Sequence, residues 1–418
     1  MRLVSGPRRE PVLAGGQAKA LATSLQANAS DLADAMLDYI VVRLPEVVID
    51  DEIRGLTLGS CSSNIEAALS MVRHGIDVSA ARAPVTALEH ARAMAARGYS
   101  VDVILRFYRL GHEFFVEQLS EGLDAAGYGA AEALTVFFEL ERFLLRYIDR
   151  ISSQIASEYI ATLSRQQNEA RIERADIVRE LLADEPVDPA RAERVLSHRL
   201  TGRHLALICW SDEPGRDLEN VVQKTASALG AGRPLTVSEG PTTVWGWITV
   251  TGHVLPPATS TGRLNDHDSY VHIAFGSVHI GAAGFRTSHL EATRARRIAE
   301  IAERPAPATV HFRDVSLADA LSYDLDAAQR FVKAELGDLT ADGAPERDER
   351  ATLLAVLNAR GSLAKAAQAL DIHRNTVLQR LRRAEKKVGR SSADRVAETH
   401  AALVLVDVLG RRALQNDW

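Results

Sequence analysis

The chain has 418 residues, 46% hydrophobic and 25% charged, with a formal net charge of −6, an ordinary composition for a soluble protein of about three domains. The only cysteines, Cys61 and Cys209, make no disulfide framework, the N-terminal MRLVSGPRREPVLAGG lacks the apolar core of a secretory signal, and no window approaches the ~20 apolar residues of a bilayer span. A cytoplasmic protein without a membrane segment is therefore expected, and AALVLVDVL (401–409) is both too short for a span and interrupted by Asp407.

Residues 1–16 read as a disordered lead-in. Residues 17–164 read as a helical bundle, because LADAMLDYIVVRL, SNIEAALSMVRHGI, ALEHARAMAARGY, VDVILRFYRLGHEFFVEQL and AEALTVFFELERFLLRYI space apolar residues by three and four. No Gly or Pro occurs between Ala130 and Glu185. The charged stretch SRQQNEARIERADIVRELLAD therefore predicts a linker helix over 165–190. It fits a coiled-coil dimer seam or a signal-carrying rod, with a solvated linker helix as the plainer alternative.

The texture changes after Pro186. HLALICW (204–210), PLTV (234–237), TTVWGWITV (242–250) and YVHIAFG (270–276) are β-prone, with VHF (310–312) as a last strand. Helices are expected at Leu218–Leu229 and Ser288–Ala302, and a polar loop at 255–269. Together these predict an α/β domain over 195–315. Residues 316–345 follow as a helical connector, SLADALSYDLDAAQRFVKAEL, and the start of a polar linker, GDLTADGAPERDE. Residues 346–414 form a C-terminal helical module. The fold class is thus multidomain, α and α/β.

Charge singles out that module. Residues 346–418 hold 14 Lys and Arg against 9 Asp and Glu, a net of +5, whereas the rest holds 35 against 46, a net of −11. Its first helix is expected near Asp348–Arg360, stopped by Gly361. Ser362 can cap a second helix, LAKAAQAL, whose alanines permit close helix packing. After the turn Asp371-Ile372-His373 comes a third helix. At about 100° per residue, Val377, Leu381, Ala384 and Val388 fall on one narrow stripe. Asn375, Gln379, Arg382 and Lys386 lie opposite, with Thr376 and Arg383 beside them. Amides near the N-terminus and cations further along suit a helix whose first turns read base edges and whose later turns meet phosphates. A solvated cationic helix with nothing bound is the plainer alternative.

GSLAKAAQALDIHRNTVLQRLRRAEKKVG resembles the helix-turn-helix of the PucR (CdaR-like) bacterial transcriptional regulators, with the hallmark "vHrNTl.yRl.ri...G". His373, Arg374, Asn375, Thr376, Arg380, Leu381 and Gly389 stand at the matching positions, and the same core resembles the helix-turn-helix of Fis. IAFGSVHIGAAGFRTSHLEATRARRIAEI (273–301) is similar to that family's degenerate GGDEF-like domain. ARGYSVDVILRFYRLGHEFF (96–115) is similar to RsbR-type sensory helices. The resemblance implies a signal-responsive regulator that binds double-stranded DNA as a homodimer or higher homo-oligomer under an unidentified small-molecule or protein effector. The residues expected at DNA are Arg374, Asn375, Thr376, Gln379, Arg380, Arg382, Arg383 and Lys386.

Other functions find less support. Cyclase chemistry needs metal-binding carboxylates and a Gly-Gly turn. Asp212 and Glu213 follow a strand, but the hairpin reads LTVSEGPTTVW, with only Glu239-Gly240. Gly276, Gly281 and Gly284 form neither a dinucleotide fingerprint nor a Walker loop, and read as strand–turn–helix bends. No Cys/His set has zinc spacing. A haem ligand among His74, His90 and His112 is a minor possibility, and Trp245 and Trp247 share a strand face suited to packing. No enzyme activity, metal or cofactor is expected. A stress-signalling scaffold is the runner-up, and a nucleotide-handling enzyme the third reading.

Overall fold

The computed structural model describes residues 15–251, 270–305 and 308–414. The expected lead-in, up to residue 14, and the expected polar loop at 255–269 lie outside the described residues. The chain divides into two compact units, Met1–Ala170 and Arg171–Trp418.

The first unit is helical: α1 (Gly16–Ala27), α2 (Ala29–Arg43), α3 (Asp51–His74), α4 (Val85–Ala96), α5 (Val101–Ala125) and the first part of α6 (Ala130–Ala183). Asp50 starts α3 by accepting a hydrogen bond from the Ile53 amide at 2.8 Å, and Gly75 ends it in a left-handed turn at φ 66°, where glycine alone is unstrained. Ile40, Ile53, Met94, Ile104, Leu119 and Ile151 are buried at its centre. In α6, Val136, Leu140, Phe143, Tyr147, Ile151 and Ile155 recur every three or four residues and are all buried, so one helix face joins this core.

Helix α6 runs unbroken for 54 residues, as the absence of Gly and Pro predicts. Residues 164–173 are exposed on every side. Beyond its backbone ladder, that stretch makes exposed ion pairs, Arg165 with Glu158 two turns back, Arg171 with Glu219 and Glu173 with Arg191, each worth about 0.2–1 kcal/mol. Further on, Ile177 and Val178 are buried in the second unit.

The second unit opens with α7 (Pro189–Leu196), β1 (Arg203–Ser211), α8 (Leu218–Ala228), β2 (Leu235–Ser238), β3 (Thr243–Thr249), β4 (Val271–Phe275), β5 (His279–Ile280), α9 (Gly281–Ile301) and β6 (Thr309–His311). The sheet order is β2-β3-β1-β4-β6, with β5 also pairing β1. All pairs are antiparallel except β4 with β6. Strand β1 is buried on both faces, which explains its unbroken apolar run. Leu205, Leu207 and Cys209 meet α8, while Ile208 and Trp210 face the core that holds α9.

Two glycines set how closely helices approach this sheet. A Cβ on Gly246 would stand 2.7 Å from Val222 of α8, and one on Gly276 would stand 2.0 Å from the Ser288 carbonyl oxygen of α9. Helix α9 begins at Gly281, φ 79°, seven residues earlier than expected, because the glycine-rich start forms its first turn rather than a preceding bend.

The chain continues as α10 (Phe312–Leu321), α11 (Leu325–Leu336), α12 (Ala344–Asn358), α13 (Leu363–Leu370), α14 (Arg374–Val388) and α15 (Val396–Leu409). The connector is two helices rather than one, since Asp324 caps α11 by accepting from the Ala327 amide at 2.9 Å. GDLTADGAPERDE is packed rather than loose. Its Leu339 is fully buried, and Arg350 donates to the Leu339 and Ala341 carbonyls at 2.6 and 2.8 Å. Helix α15 is a fourth helix of the module, beyond the three that the sequence predicts. Apolar over most of its surface, with Asp407 exposed, it packs against α9, α10, α11 and α12. One hydrophobic cluster thus runs from Ile208 and Ala274 of the sheet through Val332 and Leu336 to Leu353, Ala384 and Leu405.

Candidate DNA-binding face

Three local devices shape the pair α13–α14. Ser362 caps α13 by accepting from the Lys365 amide at 3.4 Å. Asp371 adopts the left-handed conformation at φ 52°, which short polar residues tolerate, and the Ile372 amide folds back to the Ala367 carbonyl at 3.1 Å. His373 then accepts from the Asn375 amide through Nδ1 at 3.2 Å, starting α14, and Gly389 ends it at φ 80°. Val356, Ala366, Ala367 and Val377 form a small core. Val377 and Ala384 are wholly buried, with Leu381 half-buried beside them.

The opposite face of α14 is open. Arg374, Asn375, Gln379, Arg382, Arg383 and Lys386 are exposed. Among the described residues, none of their side chains takes part in a hydrogen bond or ion pair. Thr376 is half-buried. Arg380 differs from the other cations: it is half-buried and pairs with Asp348 of α12 at 2.5 Å. Lys387 lies on the inner side, 2.6 Å from both Glu346 and Glu349. These hydrogen bonds, Glu346's first, hold the Lys387 ammonium above its usual range. Arg380 and Lys387 thereby clamp α14 onto α12, and the exposed cations keep unpaired positive charge facing solvent.

A second set of pairs ties the loop after α14 to α11. Buried Glu335 receives Arg390 at 2.5 Å and Arg395 at 2.7 Å, and Arg390 also donates to Thr399 at 3.0 Å. The Arg395 hydrogen bond, with the charges of both arginines, outweighs burial and holds the Glu335 carboxyl below the usual carboxylate range. Sequence reasoning missed this hub, because Glu335 sits in an unremarkable amphipathic helix.

At the β1 terminus Asp212 is exposed and lies 3.7 Å from His272, while Glu213 pairs with Arg216 at 2.6 Å. Glu239 closes the β2–β3 hairpin, its amide donating to the Thr243 carbonyl at 2.8 Å, with Gly240 at φ 76°. Among the described residues no group of three or more His, Cys, Asp or Glu is placed to hold a metal ion, and no helix is long and apolar enough to cross a membrane. Trp247 is buried and stacks on Phe285 at 4.4 Å, so that strand face is core. His74 ends α3, His90 lies on α4 and His112 on α5.

Comparison with known proteins fits these elements. The RsbT co-antagonist protein rsbRD N-terminal domain matches residues 30–174, a GGDEF-like domain matches 180–298, and the PucR C-terminal helix-turn-helix domain matches 350–405. A crystal structure of a regulator of polyketide synthase expression from Bifidobacterium adolescentis is similar at 20% identity and a TM-score of 0.28, covering 56% of this chain and 91% of that one. No curated protein matches the chain. With an RsbRD-type domain, a GGDEF-like domain and a PucR helix-turn-helix in that order, the chain has the PucR/CdaR-like architecture.

Proposed function

We propose that the chain is a signal-responsive transcriptional regulator that binds operator DNA through α14. The observation that carries this reading is the exposed, unpaired set Asn375, Gln379, Arg382, Arg383 and Lys386 on a helix matched by a PucR helix-turn-helix domain. Asn375 and Gln379 lie in the first turns, where a bidentate amide can read adenine. Arg374, Arg382, Arg383 and Lys386 neutralise phosphates, Thr376 supports the groove-facing turn, and Arg380 orients the helix through Asp348.

The domain limits fit three tasks: a sensor over 17–164 with its linker helix at 165–190, a coupling domain over 195–315 with its connector at 316–345, and a DNA head over 346–414. The GGDEF-like domain acts through packing rather than catalysis, in line with a β2–β3 hairpin that carries Glu239-Gly240-Pro241 in place of a Gly-Gly-acidic turn. Two chains present two heads, reading half-sites one or more helical turns apart. The effector favours one arrangement of the heads over another. DNA binding of this kind places the protein in the bacterial cytoplasm.

The test is recovery of bound fragments from a random duplex pool by the purified full chain. A two-half-site motif is expected, and Asn375→Ala or Gln379→Ala should lose preference at particular positions, by about 1–3 kcal/mol per base pair. Absence of any enriched motif, or the same motif from both variants, overturns the assignment.

A further inference from the structure

Leu134, Phe138 and Leu145 are 56%, 57% and 54% exposed, although all three lie on α6, the helix whose other face joins the bundle core. At about 100° per residue they fall on one stripe with Arg142, Asp149, Ser152 and Ala156. The core residues Val136, Leu140, Phe143, Tyr147 and Ile151 lie on the opposite side of the helix, so the stripe faces away from the core. The outer face of a surface helix is ordinarily charged or polar. Three large apolar side chains in line there mark an interaction surface.

The other members of the stripe say what covers it. Arg142 and Asp149 are exposed, and among the described residues neither side chain takes part in a hydrogen bond or ion pair. Leu145 lies between them, and both sit on the same edge of the stripe, with Glu141 on the other edge. A two-fold axis beside Leu145 keeps like edges together, so it brings Arg142 of each copy to Asp149 of the other.

The same axis matches sizes. Phe138 and Ser152 stand equally far before and after Leu145, and so do Leu134 and Ala156. Each large side chain of one copy therefore meets a small, half-buried residue of the other. Charge and bulk both complement when α6 meets its own face in the antiparallel sense, which is the self-complementarity that an isologous contact requires. A parallel pairing would set Arg142 against Arg142 and Asp149 against Asp149, and like charges across an interface are unfavourable.

We propose that this face of α6 is the contact between two copies of the chain, an antiparallel pairing centred on Leu145. It lies upstream of the 165–190 linker helix. The proposal deepens the reading of two chains presenting two heads and rests on that reading for its role. Its test uses no DNA, and heads paired through another surface would still select a two-half-site motif, so the two fail separately.

The test is disulfide trapping on the full chain, whose own Cys61 and Cys209 are buried. A disulfide needs Cβ atoms about 3.5–4.5 Å apart. Leu145→Cys should cross-link to itself under mild oxidation. Phe138→Cys alone should not, because in the antiparallel pair its two copies stand about 20 Å apart along the helices. Phe138→Cys mixed with Ser152→Cys should instead give the mixed dimer. In sedimentation velocity, Arg142→Asp and Asp149→Arg should each weaken the dimer at least about tenfold, and the double variant should return to within about threefold of the parent. The proposal is overturned by a chain that stays monomeric, by dimers in which Leu145→Cys fails to cross-link, by Phe138→Cys cross-linking to itself as readily as Leu145→Cys, or by a double variant that dimerises no more tightly than its singles.

Discussion

Replacing Glu335 should loosen the DNA head at its base. The side chain of Glu335 is 8% exposed, that of Arg390 23% and that of Arg395 53%. The Arg390 pair is largely desolvated, so its charge-assisted hydrogen bond contributes about 1.5–3 kcal/mol. The Arg395 pair is more than half exposed, and screening limits it to about 1 kcal/mol at most. Glu335→Ala should therefore cost about 1.5–4 kcal/mol, its upper end overlapping the cost of breaking a buried pair and leaving its cation behind. That is roughly a 10- to 1,000-fold rise in local opening. Native-state hydrogen exchange of the α15 amides measures it directly. Arg390→Ala should cost more than Arg395→Ala, and a double-mutant cycle should couple Glu335 to Arg390 more strongly. A Glu335→Ala effect below about 1 kcal/mol, or an Arg395→Ala cost equal to that of Arg390→Ala, refutes the reasoning.

Other perturbations probe the folds beneath the two proposed sites. Gly276→Ala should destabilise the second unit severely, read by urea denaturation, because its Cβ would meet backbone at 2.0 Å and overpacking costs at least about 1–3 kcal/mol. Gly111→Ala should raise the stability of the first unit by about 0.5–1 kcal/mol, since the methyl group has room. Acidification should weaken the second unit before its carboxylates titrate. Burial pushes His198 and His289 down to about 4, so the unfolded chain binds their protons first. The stability they contribute is complete above about pH 6.5, the unfolded histidine value, and falls by up to about 1.4 kcal/mol per pH unit for each down to pH 4. A urea midpoint that stays flat between pH 6.5 and 4.5 contradicts neutral burial of both.

The sequence was most informative where one local rule acts alone. The lack of Gly and Pro after Ala130 marks α6, the unbroken apolar run of β1 marks a strand buried on both faces, and Ser362 and Gly389 bracket the helix-turn-helix. It was silent where packing overrides pattern. Helix α15 is apolar over most of its surface, with only Asp407 as an exposed acid, so its amphipathic period is faint. Leu339 is a lone apolar residue in a polar stretch, yet it is fully buried. On α14 the projection separates core from surface, but it cannot show that Arg380 and Lys387 are engaged by carboxylates of α12 while Arg382 and Lys386 are not. On α6, Leu134, Phe138 and Leu145 are interleaved with the core residues Val136, Leu140 and Phe143, so apolar spacing alone does not show which face stays exposed.

The salt dependence of DNA affinity tests the central claim most directly. Arg374, Arg382, Arg383 and Lys386 are the exposed cations of α14, and each phosphate neutralised adds about 0.9 to the slope of log affinity against log salt. A slope of about −3 to −4 per head is expected. Arg382→Ala and Lys386→Ala should each reduce its magnitude by about 0.9 while leaving the preferred sequence unchanged. A slope near zero, or a steep slope that neither variant alters, contradicts the placement of α14 against DNA.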